Sequence, residues 1–179
     1  MKIAVVDIET TDFLNEGGLI VEIGIVVLNL KTGEVRQIYD ELVKEDGFEK
    51  THERSWIFHN SDLTHEEVMK AESLDKNKIQ RILNQYPATA YNKRFDFDFL
   101  KDRGLEINEL PCPMILATDI CKIPHVNGYG YKWPKVQEVW DFLFGETGYI
   151  EKHRGVDDAE HEALIVLKLY EMGIFEVAA

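Results

Sequence analysis

Apolar positions along the chain fall into short β-branched runs first and helical spacings later. The run Ile3-Ala4-Val5-Val6 predicts a first strand over residues 2–9, and the longer run from Leu19 to Leu30 (LIVEIGIVVLNL) predicts a second. Lys31-Thr32-Gly33-Glu34 supplies a turn, and Val35 to Val43 returns as a third strand, giving an antiparallel meander. Lys44 to Asp62 is polar without a period and reads as a loop or irregular insertion. Thr64-His65-Glu66-Glu67 has capping-box spacing, and helical pattern follows to about residue 85, where Pro87 ends it. Ala88 to Tyr91 predicts a short strand, Phe95 to Arg103 a helix stopped by Gly104, and Pro113 to Ile120 a further strand. Pro134 fits the first turn of a helix ending at Phe144. The last helix runs from Asp157 to Met172, with apolar positions 164, 165, 167 and 169 and Gly173 after it. This order predicts one α/β domain over residues 1–179. Its core is a central five-stranded mixed sheet, three antiparallel strands and then two more, flanked by helices.

Composition narrows the class. A chain of 179 residues, 45% hydrophobic and 30% charged, can bury a real core. No apolar run approaches the roughly 20 residues that span a bilayer, so no membrane role is expected. The first apolar run stops at Asp7, too short for a secretory signal. Cys112 and Cys121, nine apart without a CxxC, make neither a zinc site nor a disulfide framework and fit a reducing cytoplasm. The net charge of −13 argues against a protein that coats nucleic acid along its backbone. It leaves room for an enzyme that grips a few nucleotides through metal ions, and equally for an acidic surface that aids solubility.

The strongest chemical signal ends the first strand. Asp7 and Glu9 are two apart, so their side chains share one face. Like charges held together there are costly unless a cation lies between them, and carboxylate oxygens suit a divalent metal. Asp96 falls in the first turn of the helix after the fourth strand, where a negative charge is favoured, as metal ligand or as cap. Asp98 lies about 200° round that helix and faces solvent. Asp158 lies inside the last helix and His153 in the loop before it; Asp157 and Asp158 are each also candidate caps. No Ser/His/Asp order, Gly-rich phosphate loop or cysteine nucleophile competes with these residues.

Together these segments resemble the DEDDh family of 3′–5′ exonucleases, the DnaQ-like proofreading type. Asp7-Ile8-Glu9-Thr10-Thr11 matches the first motif, Asn92 to Asp96 the second (Asn-x-x-Phe-Asp), and His153 with Asp158 the third (His-x4-Asp). The third often reads His-Arg-Ala, and Gly155 stands here in place of that Ala. The resemblance implies a ribonuclease H-like fold and two divalent ions, magnesium or else manganese, held by Asp7, Glu9, Asp96 and Asp158. It further implies His153 as general base, release of nucleoside 5′-monophosphates from the 3′ end of single-stranded DNA or RNA, and Thr10, Thr11, Asn92 and Phe95 near the substrate. Some relatives are homodimers. The alternative is an inactive nucleic-acid or protein binding module on the same fold.

Other residues stay open between two readings. Glu22 faces either the metal cleft or solvent. Phe95 is either a cleft residue or core. Lys93, Arg94, Lys132 and Lys135 supply charge to the cleft or are solvated surface. Trp133 and Trp140 read as core. His52, His59 and His65 are too irregularly spaced for a metal site. His161 and Glu162 share the face of Asp158 but do not fit the motif spacing that His153 fits.

Overall fold

The computed structural model of the chain describes residues 1–177; positions 178 and 179, the end of the expected domain, lie outside the described residues. Strands β1 (Lys2–Thr10), β2 (Ile20–Asn29) and β3 (Val35–Leu42) form the antiparallel meander, and β4 (Ala88–Thr89) pairs parallel with β1 at Ala4 and Val5. The sheet order is β3-β2-β1-β4. Among the described residues seven α-helices accompany it: α1 (Ile57–Asn60), α2 (His65–Met69), α3 (Lys76–Gln85), α4 (Lys93–Asp102), α5 (Pro113–Cys121), α6 (Val136–Phe144) and α7 (Gly155–Glu171).

The sheet therefore has four strands, not five. The expected strand within residues 113–120 is α5. Proline at its first position pre-sets the helical φ and lacks only an N–H that would have had no partner. The run itself is too evenly apolar for its period to distinguish a strand from a buried helix. What lies beside β4 is a single parallel bridge between Ala88 and Glu109. There Ala88 N–H donates to Asn108 O and Leu110 N–H to Ala88 O, each at 2.8 Å.

The helical pattern after Thr64 also divides. Thr64 and Glu67 form the reciprocal capping box, but α2 ends at Met69, and Asp75 caps a new helix by accepting the Lys78 N–H at 2.9 Å. The polar stretch 44–62 holds a 3-10 turn at Lys50–Arg54 and the short α1.

β2 is buried on both faces because helices cover both sides of the sheet. Ile3, Val5, Val26 and Leu28 pack toward α5, α6 and α7, while Ala4, Val6, Ile23 and Ile25 pack toward α3 and α4. This is the period-two alternation of a strand split between two layers. In α7 the buried apolar positions are Ala159, Ala163, Ile165, Val166 and Leu169, while Leu164, part of the apolar pattern, is 36% exposed. Trp140 joins the core, but Trp133, expected there too, is 67% exposed.

Candidate active site

β1 outruns β4. Beyond the two residues of β4, the β1 edge has an N–H at Ile8 without a strand partner, and buried amides must be satisfied. Asp96, in the first turn of α4, accepts it through Oδ1 at 3.1 Å. That bond brings Asp96 beside Asp7 and Glu9. On the other side of β1, Asp7 pairs with Gly24 of β2 and Glu9 with Glu22, and a register shift follows between Glu9 and Thr10. A Cβ on Gly24 would sit 2.0 Å from the carbonyl carbon of Gly155, and a Cβ on Gly155 would sit 2.7 Å from the Gly24 nitrogen. Two missing side chains thus let the start of α7 touch the sheet. The Gly at 155, where the related motif often has Ala, is part of that contact. Asp158, one turn into α7, is carried over the β1 acids by it.

His153 is held by Asp158. Asp158 Oδ2 accepts the Arg154 N–H at 2.9 Å, and Oδ1 accepts the Lys152 N–H at 3.3 Å and the Tyr149 hydroxyl at 3.4 Å. His153 has φ +55°, the left-handed region that non-glycine residues seldom occupy. Such a reversal turns the amides on either side of it toward one anion. One ring nitrogen of His153 lies within 4.8 Å of carboxylate oxygens of both Glu9 and Asp158. The Trp56 ring meets the imidazole edge to face, with centroids 4.7 Å apart.

Glu22 resolves to the cleft side of its two readings. It is 1% exposed and accepts Arg154 Nε and Nη2 and the Gly155 N–H, at 2.9–3.1 Å. Arg154 reaches Asp62 with its remaining arm at 2.7 Å. This ion pair ties β2, the start of α7 and the segment after α1 together next to His153.

The acids crowd one another. Burial first, then Glu162, Glu9, Asp96 and Asp158, raise Asp7 well above the ordinary carboxyl range. Burial and Asp158 lead the causes that raise Glu9, burial pushes Asp96 up to about 8, and burial raises Asp158. Asp7 Oδ2 is shut off from solvent and has no hydrogen-bond partner among the described residues. Burial lowers His153, with Asp158 opposing. Closely spaced carboxylates with an orphaned oxygen and a neighbouring imidazole suit a divalent cation. Glu162 is a fifth acid here: 4% exposed, accepting the Tyr91 N–H at 3.2 Å, and raised by burial, Asp96 and Asp158. Motif spacing set it aside in favour of His153, although its position four residues after Asp158 on one helical face was the available signal.

Two open grooves flank the pair Phe13 and Phe95, whose rings stand perpendicular at 6.2 Å. One, of about 790 Å³, is walled by Glu9, Thr10, Thr11, Arg54 and Trp56; the other, of about 700 Å³, by Asn92, Arg94, Ile115 and Trp133. Phe95 lines both, so it is a groove residue that also rests on the core. The threonines and Asn92 therefore face different grooves. Thr11 is the more constrained threonine, its hydroxyl accepting the Leu19 N–H at 2.9 Å. The Asn92 side chain makes no cap bond to α4.

The remaining candidates mostly engage other partners. His52 stacks on Phe48 and His65 tilts against the same ring, and His52 also lines the groove that contains Glu9. Lys93 bonds Leu110 O and Glu109, Arg94 pairs with Asp98 at 3.6 Å, and Lys132 pairs with Glu138. Lys135 is near enough to His153 to help lower its pKa. Cys112 and Cys121 are free. Among the described residues, no helix is long and apolar enough to cross a membrane.

No protein-family model and no curated protein matches the chain. Solved structures do. The nuclease domain of 3′hExo, a DEDDh family member bound to rAMP, is 17% identical with a TM-score of 0.71, covering 99% of this chain and 96% of that one. Cell-death related nuclease 4 is 12% identical with a TM-score of 0.61, over 96% of this chain and 64% of that one. E. coli exonuclease I in complex with a dA16 oligonucleotide is 9% identical with a TM-score of 0.63, over 97% of this chain and 42% of that one. The chain also spans 62% of a full-length 3′-exonuclease with a TM-score of 0.66. From the meander to α7, the chain has the fold of the DEDDh 3′-exonuclease domains.

Proposed function

We propose that this protein is a 3′–5′ exonuclease that hydrolyses phosphodiester bonds and releases nucleoside 5′-monophosphates. The observation that carries the reading is the convergence of Asp7, Glu9, Asp96 and Asp158, from three separate elements, around the unpartnered Asp7 Oδ2. Those four carboxylates would hold two divalent ions, magnesium or manganese. When bound, such ions stabilise charge on both sides of a phosphodiester under displacement.

The chain's own groups do the rest. His153 takes the proton from the attacking water. Its lowered pKa keeps the imidazole neutral, and so able to accept, at neutral pH. Asp158 holds the histidine by its flanking amides. Thr10, Thr11 and Phe95 bound the groove that takes the terminal nucleotide, and Trp56 supplies an apolar face opposite them. Asn92 reaches the strand from the neighbouring groove. The rAMP and dA16 complexes of proteins with this fold support a nucleic-acid substrate.

The test is incubation with a 3′-labelled single strand and Mg²⁺. Mononucleotide release that EDTA abolishes is expected. No release, with EDTA making no difference, overturns the reading, and cleavage of circular or 3′-blocked strands would assign an internal-cutting nuclease instead.

A further inference from the structure

From Ile120 to Gln137 the chain has no Asp or Glu, although the whole carries 33 acids against 20 Lys and Arg. Within that stretch a hairpin forms. Lys132 N–H donates to Ile123 O at 2.9 Å and His125 N–H to Gly130 O at 3.1 Å, and Pro124 bridges Tyr131. Gly128 and Gly130, at φ +77° and +66°, make the turn and present Tyr129 between them. Tyr129 is 84% exposed, Tyr131 48% and Trp133 67%. These rings bury little inside the chain, and clustered exposed apolar surface marks an interaction site. Trp133 walls the same groove as Phe13 and Ile115, which are themselves 61% and 57% exposed. Phe13 in turn lines the groove that contains Glu9 and Thr10. A row of exposed apolar groups therefore leads from the acids, past Trp133, to the tip of the hairpin.

We propose that this row is a stacking platform for the single-stranded segment that leads up to the 3′ nucleotide. The proposal rests on the exonuclease reading above and adds where the rest of the strand lies. Every base has a π-face, so stacking on aromatic rings binds a strand without reading its sequence. Paired bases in a duplex are already stacked and do not offer those faces. The acid-free stretch spares the phosphates the repulsion of an otherwise acidic protein. Lys132 is committed to Glu138, so stacking carries the affinity and added salt weakens it little.

Two substrates separate the platform from the catalytic centre: single-stranded ten-mers of thymidylate or uridylate, and the p-nitrophenyl ester of thymidine 5′-monophosphate, which has no upstream strand. In Trp133→Ala and in the double variant Tyr129→Ala/Tyr131→Ala, the ratio of kcat/KM for ten-mer over ester should fall about tenfold or more. An unchanged ratio overturns the platform. So does a variant that converts a dimer to a monomer in sedimentation with the ratio intact, which would assign the hairpin to a second copy of the chain. If the wild-type protein hydrolyses neither substrate, the exonuclease reading fails. The platform then stands or falls on anisotropy of a labelled ten-mer in EDTA, where wild-type binding and its loss in the variants are expected, and absence of wild-type binding overturns it. The substituted rings are exposed, and circular dichroism verifies that the variants are folded.

Discussion

Asp158 holds His153 by the backbone: its carboxylate accepts the N–H of Lys152 at 3.3 Å and of Arg154 at 2.9 Å, the two residues that flank the histidine. A group proposed as metal ligand is thus also the anchor of the group proposed as base, and the two roles separate by substitution. His153→Ala should lower kcat by about a hundredfold or more while divalent-ion binding, measured by calorimetry, persists. Asp7→Ala and Asp158→Ala should lose both. A near-normal rate in His153→Ala would remove the histidine from the mechanism.

Arg154→Ala leaves Glu22 buried beside the Gly155 amide without its cation. Because Arg154 is itself about a third exposed, the loss should be about 2–4 kcal/mol of unfolding free energy in urea titration. Arg154→Lys should recover part of it, since an ammonium keeps the charge but cannot make the forked contact. The His153 loop is fastened by the same pair, so kcat should fall more than KM rises.

Gly24→Ala is expected to be among the most damaging single-atom additions to this chain. The new methyl would lie 2.0–2.2 Å from backbone atoms of Gly155 and Val156, which cannot rotate away. Either β2 or the start of α7 must shift, at a cost of about 3 kcal/mol or more. Thermal melting measures the loss. The ion-binding defect should accompany it, because α7 carries Asp158. A methyl tolerated with unchanged Tm would contradict the close approach.

Stability without metal should fall as pH rises. Burial raises Asp7, Glu9, Asp96, Glu151 and Glu162, with neighbouring acids adding to it for all but Asp96; Glu151 reaches about 7 and Asp96 about 8. The folded chain then holds protons that the unfolded chain releases near pH 4, so the contribution is complete below that pH and is lost through the raised values. In EDTA, Tm should drop between about pH 5 and 8.5, and Mg²⁺ or Mn²⁺ should restore much of the loss at the alkaline end. A Tm independent of both pH and metal would argue against a cation site.

Turnover should follow the histidine in the opposite direction. Burial lowers its pKa below the ordinary 6.5, with Asp158 opposing. With saturating Mg²⁺, the rising limb of kcat belongs below about pH 6.5 and should vanish from any residual activity of His153→Ala. A flat profile from pH 5 to 8 in the parent protein would exclude the imidazole as base.

Local chemistry made much of this protein readable from its residues. β-Branched runs with a turn between them announced the meander, a capping box announced the start of α2, and alternation placed Asp7 and Glu9 on one face. Motif spacing then pointed to Asp96, His153 and Asp158. Other features depended on partners far along the chain. Pro113 to Cys121 is apolar enough to be strand or helix, and packing against α6 and α7 made it a helix. Trp133 looked like core because indoles usually are, but no layer of the fold covers it. Glu22 could not be assigned until Arg154, 132 residues away, was seen to neutralise it. Glu162 stood on the face of Asp158 but outside the motif spacing, and the Gly24–Gly155 contact was invisible because it is defined by the distance between separate elements. Residue order alone sets which side chains stand at the end of β1 and at the starts of α4 and α7. That those three ends meet is a property of the folded chain, because it needs two glycine backbones in contact and one strand edge left short.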